Sequence, residues 1–122
     1  MKFASLIALA ALGLAAPGLA MAASCDRPAA PADIDGGKAS LQEVLAAKSG
    51  VTSFIAASDD YQKCVLDDLT AQKAAATAAK AKVDPAIVKD AEAKVSANQA
   101  DKERVGASFN AAVKAFKAAH PS

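Results

Sequence analysis

Two cysteines, Cys25 and Cys64, are the residues of this chain best suited to chemistry. A thiol pair that exchanges disulfides usually has the Cys-x-x-Cys spacing, and these two residues lie far apart in the sequence. The second cysteine also lies in a run of aspartates, whose negative charges disfavour a reactive thiolate. These features favour a structural disulfide, and a redox role is the alternative.

The aspartates around the second cysteine are a candidate cation site: Asp59, Asp60, Asp67 and Asp68. Calcium and magnesium sites usually need oxygen ligands that converge from a loop or from several elements, whereas these carboxylates lie along one predicted helix. Lys63 stands four residues from both Asp59 and Asp67, at the spacing of helical ion pairs. We therefore predict a solvated charged surface and no metal.

His120 is the only histidine, and no acidic residue or cysteine accompanies it at the spacing of a catalytic motif. We expect it to interact weakly with the C-terminus of the second helix. The sequence has no Gly-rich phosphate loop and no Ser/His/Asp order, and paired helices enclose little interior for a pocket. These observations predict a protein that is not an enzyme and has no cofactor.

The charge balance of the chain argues against a nucleic-acid partner. The 122 residues carry 14 basic and 13 acidic side chains, and loss of Lys2 with a cleaved leader would bring the net charge to zero. Four lysines cluster near the predicted turn: Lys73, Lys80, Lys82 and Lys89. A membrane-binding helix has large apolar residues opposite its lysines, but alanines predominate here. We predict a solubilising surface, with contact to an anionic membrane as the alternative.

Residues 1–22 are typical of an export signal. Lys2 precedes an apolar run that is shorter than the roughly 20 residues of a membrane span, and small residues precede a predicted cleavage before Ala23. We therefore predict a periplasmic or secreted protein. In the alternative, Cys25 is acylated and anchors a lipoprotein, although alanine stands three residues before it, where leucine is usual.

Export favours a Cys25–Cys64 disulfide, because oxidising compartments leave few free thiols. Cys64 would lie about 35 Å along the first helix, and the extended segment before that helix can reach about 50 Å. The arm, residues 23–39, must then double back along the helix. Ile34 and the proline rings would cover the helix seam near Phe54 and Tyr61.

Composition and periodicity predict an all-α fold. After residue 22, alanine, the strongest helix former, occurs 27 times, whereas Leu, Ile, Val and Phe together occur 18 times. Residues 40–122 are predicted to form an antiparallel two-helix hairpin, similar to a coiled coil, with helices at about 41–82 and 85–119. Ser40 and Glu43 match a capping box, and Asp84-Pro85 predicts the start of the second helix.

Two stripes of residues at spacings of three and four predict how the helices face each other. With the turn at residues 83–84, Leu69 is expected near Asn98, and Val51 near Phe116. Alanines fill the seam near the turn, whereas most of the large apolar residues lie towards the open end. We therefore expect the stability of the hairpin to concentrate at the open end.

Polar residues interrupt both stripes: Lys48, Gln62, Asn98 and Lys102. Polar residues at seam positions fix the register in coiled coils, which is one interpretation. In the other, the hairpin is incomplete alone and binds a second copy or an unknown envelope protein. The contact surface would then include Phe109, Val113 and Phe116.

The arm has a pattern that continues into the first helix: Cys25-x-x-Pro28-x-x-Pro31-x-x-Ile34-x-x-Gly37, followed by Tyr61-x-x-Cys64. With the signal peptide, this pattern resembles small, uncharacterised exported proteins of Gram-negative bacteria, mainly over residues 25–69. The resemblance implies export, agrees with the disulfide and supplies no site residues. The sequence thus predicts a non-enzymatic exported hairpin that acts through surface contacts, in an interaction, envelope-stress or chaperone-like role. The alternative is a lipoprotein or a peripheral binder of anionic envelope surfaces.

Overall fold

The computed structural model describes residues 24–122, which form an extended arm followed by two α-helices. Helix α1 spans Leu41–Ala78 and helix α2 spans Pro85–Ala119, and the two pack against each other. No strand occurs in this described range. The predicted all-α hairpin is therefore confirmed. The export signal predicted at residues 1–22, with its cleavage site, lies outside the described residues.

Both helices begin at the predicted caps. The Glu43 backbone N–H donates to Ser40 Oγ at 3.2 Å, and the Ser40 backbone N–H donates to the Glu43 carboxylate at 2.6 Å. Both hydrogen bonds with Ser40 lower the pKa of Glu43, and the bond from the Ser40 backbone N–H has the larger effect. At the second helix, the Asp84 carboxylate accepts from the backbone N–H of Ala86 at 2.9 Å, and Pro85 takes the first helical position, where no N–H is needed.

Helix α1 ends at Ala78, so the predicted end at about residue 82 is wrong. Lys80 has a φ of 55°, in the left-handed region. Its N–H donates to the Thr77 carbonyl at 3.0 Å, and the Ala81 N–H donates to the Ala76 carbonyl at 2.8 Å. This pair of bonds is a Schellman motif, which usually has glycine at the left-handed position. A lysine there gives no sequence signal, so the periodicity up to the stop at Asp84-Pro85 predicted a longer helix.

The helices pair about one heptad away from the predicted register. Asn98 is hydrogen-bonded to both Ser58 and Gln62, so the expectation that Leu69 lies near it is wrong. Leu69 instead packs in one buried cluster with Ala91. The six-residue loop after the earlier helix end, residues 79–84, moves α2 relative to α1.

Val51 shows the same displacement at the other end of the hairpin. It lines a small cavity with Phe109, which lies one heptad before the predicted neighbour Phe116. A shift of seven residues brings stripe positions opposite stripe positions again, because the stripe repeats every heptad. Periodicity therefore predicted the interacting faces of the helices and left their register open.

Asn98 and Ser58 mark a boundary between two regions of the molecule. The tip half, residues 59–97, contains the loop and the contiguous buried cluster of Tyr61, Val65, Leu69 and Ala91. The open half comprises residues 24–57 and 99–119 and contains the arm. The distribution of large residues favoured the open end as the centre of packing, but this cluster lies in the tip half, beside the disulfide.

Candidate functional site

The predicted disulfide is present and fixes the start of the arm to α1. Cys25 and Cys64 are 39 residues apart in sequence, and their Cα atoms are 5.8 Å apart. Both residues are half-buried, and Cys25 packs against the buried cluster of the tip half. The disulfide therefore ties the arm to the opposite half of the molecule.

The arm lies in a groove between the two helices and runs parallel to α2. The Arg27 guanidinium pairs with the Asp101 carboxylate at 2.5 Å. Further along, Ser108 Oγ donates to the Asp33 carboxylate at 2.6 Å. Residue numbers rise together on the arm and on α2, which gives the parallel direction. The arm is thus a third packed element, as the sequence predicted.

Gly36 brings the arm closest to α2. A Cβ atom at this buried position would lie 1.8 Å from the carbonyl oxygen of Ala112, so no side chain fits without moving the arm. The chain then turns at Asp35, whose carbonyl accepts from the Ala39 N–H at 2.9 Å and whose carboxylate accepts from the Gly37 N–H at 3.0 Å. This turn delivers the chain to the N-cap of α1.

Ile34 lines a small cavity between the arm and both helices, together with Val51 and Phe109. The arm therefore covers part of the seam. The seam residues beside Ile34 lie nearer the open end than the predicted Phe54 and Tyr61. This difference follows from the path that the arm takes along the groove.

Polar residues that interrupt the seam bind one another across the two helices. Asn98 Nδ2 donates to Ser58 Oγ at 3.1 Å, and Gln62 Nε2 donates to Asn98 Oδ1 at 2.9 Å. Ser58 and Asn98 are fully buried, and no buried side-chain nitrogen or oxygen in residues 24–122 lacks a partner. Because these bonds form only in one register, the network supports register control.

Asp59 and Asp67 of α1 form ion pairs with lysines, and Asp68 accepts a hydrogen bond from Gln72 Nε2 at 2.7 Å. Lys63 pairs with Asp67, and their hydrogen bond, followed by their charge attraction, raises the pKa of Lys63. The predicted second pair of Lys63, with Asp59, is wrong, because Lys102 reaches across from α2 and pairs with Asp59 instead. Within the described range, no cluster of histidine, cysteine or carboxylate ligands could hold a metal ion.

The predicted contact residues Phe109, Val113 and Phe116 are all half-buried. Phe109 faces the arm cavity. The Phe116 ring stacks on His120, with ring centroids 4.3 Å apart, and the His120 backbone N–H donates to the Phe116 carbonyl at 3.0 Å. His120 thus caps the end of α2. Two of the three predicted contact residues are therefore engaged within the molecule itself.

The exposed large apolar side chains of the described residues are three leucines of α1: Leu41, Leu45 and Leu66, at 59%, 55% and 49% exposure. Leu45 follows the buried Val44 by one residue, which places it about 100° around the helix. Ala47, which lines the arm cavity, follows Val44 by three residues and lies about 60° in the opposite sense. Leu45 therefore points away from the arm.

The other two leucines lie on the same flank. Leu66 follows the buried Val65 by one residue, and Leu41 lies three residues before Val44. We call this surface, on the side of the hairpin opposite the arm, the arm-free face. Helix α2 ends near the level of Leu41 and leaves this side chain uncovered.

The four lysines near the loop are exposed: Lys73, Lys80, Lys82 and Lys89. Neither helix of residues 24–122 has the combination of length and apolar character that crossing a bilayer requires. No protein-family model, curated protein or solved structure matches this chain.

Proposed function

We propose that this protein is a non-enzymatic, exported helical hairpin that works through surface contacts, in a chaperone-like or envelope-interaction role. The contact surface is the arm-free face. The observation that carries the proposal is the exposure of three leucines on this one face, whereas the other groove of the hairpin is filled by the arm.

The disulfide supports the exported compartment, because such bonds persist in the periplasm and outside cells. The disulfide also argues against the lipoprotein alternative. Acylation of Cys25 would use the same sulfur that bonds to Cys64, so one molecule cannot have both modifications. The intact mass of the exported chain distinguishes them: the proposal expects the mass of the chain from Ala23 less two hydrogens, and an added acyl group would contradict it.

Leu41 and Leu45 are the leading contact residues. They lie one helical turn apart on α1, and both are more than half exposed, so they present a continuous apolar strip at the open end. Exposed apolar patches of this kind mark contact surfaces more often than isolated exposed residues do. An unfolded client segment would bury its apolar side chains against this strip.

The test uses the oxidised chain from residue 23 to 122 and a model client without cysteines that aggregates on dilution from denaturant. No reductant is present, so the Cys25–Cys64 disulfide stays intact. The client's light scattering is followed with wild type and with the double variant Leu41→Ser/Leu45→Ser. We expect wild type to suppress scattering and the variant to lose most of this effect. Ala71→Ser/Ala75→Ser, which has the same spacing at exposed positions of α1, is the matched control.

Equal suppression by wild type and by the leucine variant would contradict the role of the arm-free face. Absence of suppression by wild type would contradict the chaperone-like form of the proposal. Circular dichroism of each variant shows whether the helices persist, so a loss of activity is separated from a loss of folding.

A further inference from the structure

Two exposed leucines of the arm-free face lie far apart along α1, one in each half of the molecule. Leu45 lies in the open half and Leu66 in the tip half, 21 positions later, about 30 Å along the helix. Leu66 borders a shallow groove that it shares with Val95, Glu92 and Glu103 of α2. The open half thus presents a leucine strip, whereas the groove, with its apolar edge and acidic walls, begins in the tip half and ends at Glu103, just inside the open half.

Helix α2 has a negative side chain, Glu92, in the tip half and a positive one, Lys117, in the open half. Glu92 comes one residue after the buried Ala91, about 100° around α2, and Lys117 comes five residues after the buried Ala112, about 140° in the same sense. Ser108, which bonds to the arm, lies in the opposite sense from Val105, so both charges lie on the flank that faces away from the arm. Both side chains are exposed. They are 25 positions apart, about 37 Å along one helix, so they cannot pair within one chain. Each is available to a partner.

The leucines and the charges share one centre. The midpoint of Leu45 and Leu66 falls between residues 55 and 56, and that of Glu92 and Lys117 falls between residues 104 and 105. Gln62 bonds to Asn98 across the hairpin. Seven residues from that pair towards the open end, about two helical turns, Ile55 lies opposite Val105. The two midpoints therefore lie at the same level of the hairpin.

We propose that the arm-free face binds a second copy of this chain, face to face and antiparallel, about a two-fold axis at this level. The axis sets Leu45 against Leu66 of the second copy and Lys117 against Glu92 of the second copy, and each contact occurs twice. The product is a four-helix bundle with the two arms on its outer faces. This inference rests on the proposed function, because it assigns a second copy to the same contact surface, from which a client segment would displace it.

The first test is the molar mass of the oxidised chain from residue 23 to 122, measured by sedimentation equilibrium over a range of concentrations. We expect the mass of a dimer at high concentration. Leu45→Ser should raise the dimer dissociation constant at least about tenfold, because it removes two apolar contacts from each dimer. Ala75→Ser, at an exposed position, should leave the constant within about twofold of wild type.

A charge exchange between two variants tests the arrangement itself. In a dimer of Lys117→Glu alone, or of Glu92→Lys alone, both charged contacts become repulsive, and the dissociation constant should rise at least about tenfold. When the two variants are mixed, both contacts regain opposite charges, and the heterodimer should form with a constant within about threefold of wild type. Circular dichroism of each variant confirms that it folds.

A chain that stays monomeric at every concentration would overturn the inference, as would a dimer that neither the leucine change nor the charge exchange affects. These results are separable from failure of the proposed function. A monomer that still protects the client through Leu41 and Leu45 retains the function and excludes the second copy as the occupant. A dimer with no effect on the client supports the inference and contradicts the chaperone-like role.

Discussion

The tip half and the open half of this molecule solve the same packing problem in different ways. In the tip half, the two helices bury a contiguous cluster that includes Tyr61, Val65 and Leu69, and Cys25 at the start of the arm packs against it. In the open half, the buried apolar residues include Val44, Phe54 and Ala112, and the arm lies across the helices. Most of the large apolar residues lie in the open half, and two thin alanine-rich helices cannot bury them between themselves, so the arm covers them as a third element.

The contacts of the arm differ in kind from those of the tip half. They include an ion pair, a hydroxyl–carboxylate bond and the backbone approach of Gly36, together with a small apolar contribution from Ile34. Such contacts depend on exact placement and contribute little if the arm moves. The disulfide holds the arm in place from one end, so the open half should depend on it more than the tip half does.

Removal of the disulfide should give the largest difference between the halves. In the chain-entropy model, a loop closed by residues 39 apart contributes about 4 kcal/mol to the free energy of unfolding. Cys25→Ser/Cys64→Ser should lose about that amount in urea denaturation. Hydrogen exchange should show that Gly37 and Ala39 lose protection before Val65 and Leu69 do. If the amides of both halves lose protection to the same extent, the open half does not depend more on the disulfide than the tip half does. Wild type treated with reductant is the control.

Gly36→Ala tests the close approach of the arm directly. The new Cβ would overlap the carbonyl oxygen of Ala112, and overpacking of this kind costs about 2–3 kcal/mol of unfolding free energy. Gly37→Ala is the matched control, since the nearest atom to its new Cβ would be the Asp35 carboxylate at 3.3 Å, which can move. If the two variants unfold at the same urea concentration, the arm does not need this contact.

Asn98→Ala acts at the boundary of the halves. It leaves the buried Ser58 hydroxyl without its partner and removes a bond from Gln62, which together should cost about 2 kcal/mol in urea denaturation. Asn110→Ala, an exposed asparagine of the same helix, should change the stability by less than about 0.5 kcal/mol. Similar small losses in both variants would show that the network does not hold the register.

Local signals in the sequence predicted much of this fold. The capping box at Ser40, the start of α2 at Asp84-Pro85 and the Cys25–Cys64 disulfide all depend on a few neighbouring residues or on a count of cysteines. The register of the helices depends instead on the length of the loop, since a heptad shift preserves the pattern. The contact of Gly36 with α2 joins residues far apart in sequence, and no local pattern indicates it.

The candidate site was predicted only in outline. The sequence indicated an apolar contact surface towards the open end, but it named Phe109 and Phe116, whereas the exposed apolar side chains there are Leu41 and Leu45. The two phenylalanines were chosen because their side chains are large. In the structure, Phe109 faces the arm and Phe116 stacks on His120. Exposure depends on which groove the arm fills, and the sequence does not give the path of the arm closely enough to show that.

Lys80→Gly should change the free energy of unfolding least, and it should stabilise the protein, whereas the other variants destabilise it. Lys80 holds a left-handed φ of 55°, which costs a residue with a Cβ about 1 kcal/mol, and glycine removes that cost while keeping both Schellman bonds. The free energy of unfolding should therefore rise by somewhat less than about 1 kcal/mol, because glycine also makes the unfolded chain more flexible. Lys82→Gly, in the same loop without a left-handed φ, has only this second effect and should not stabilise. A gain at residue 80 would show that the tip half carries strain in its loop, whereas equal changes at both positions would show that it does not.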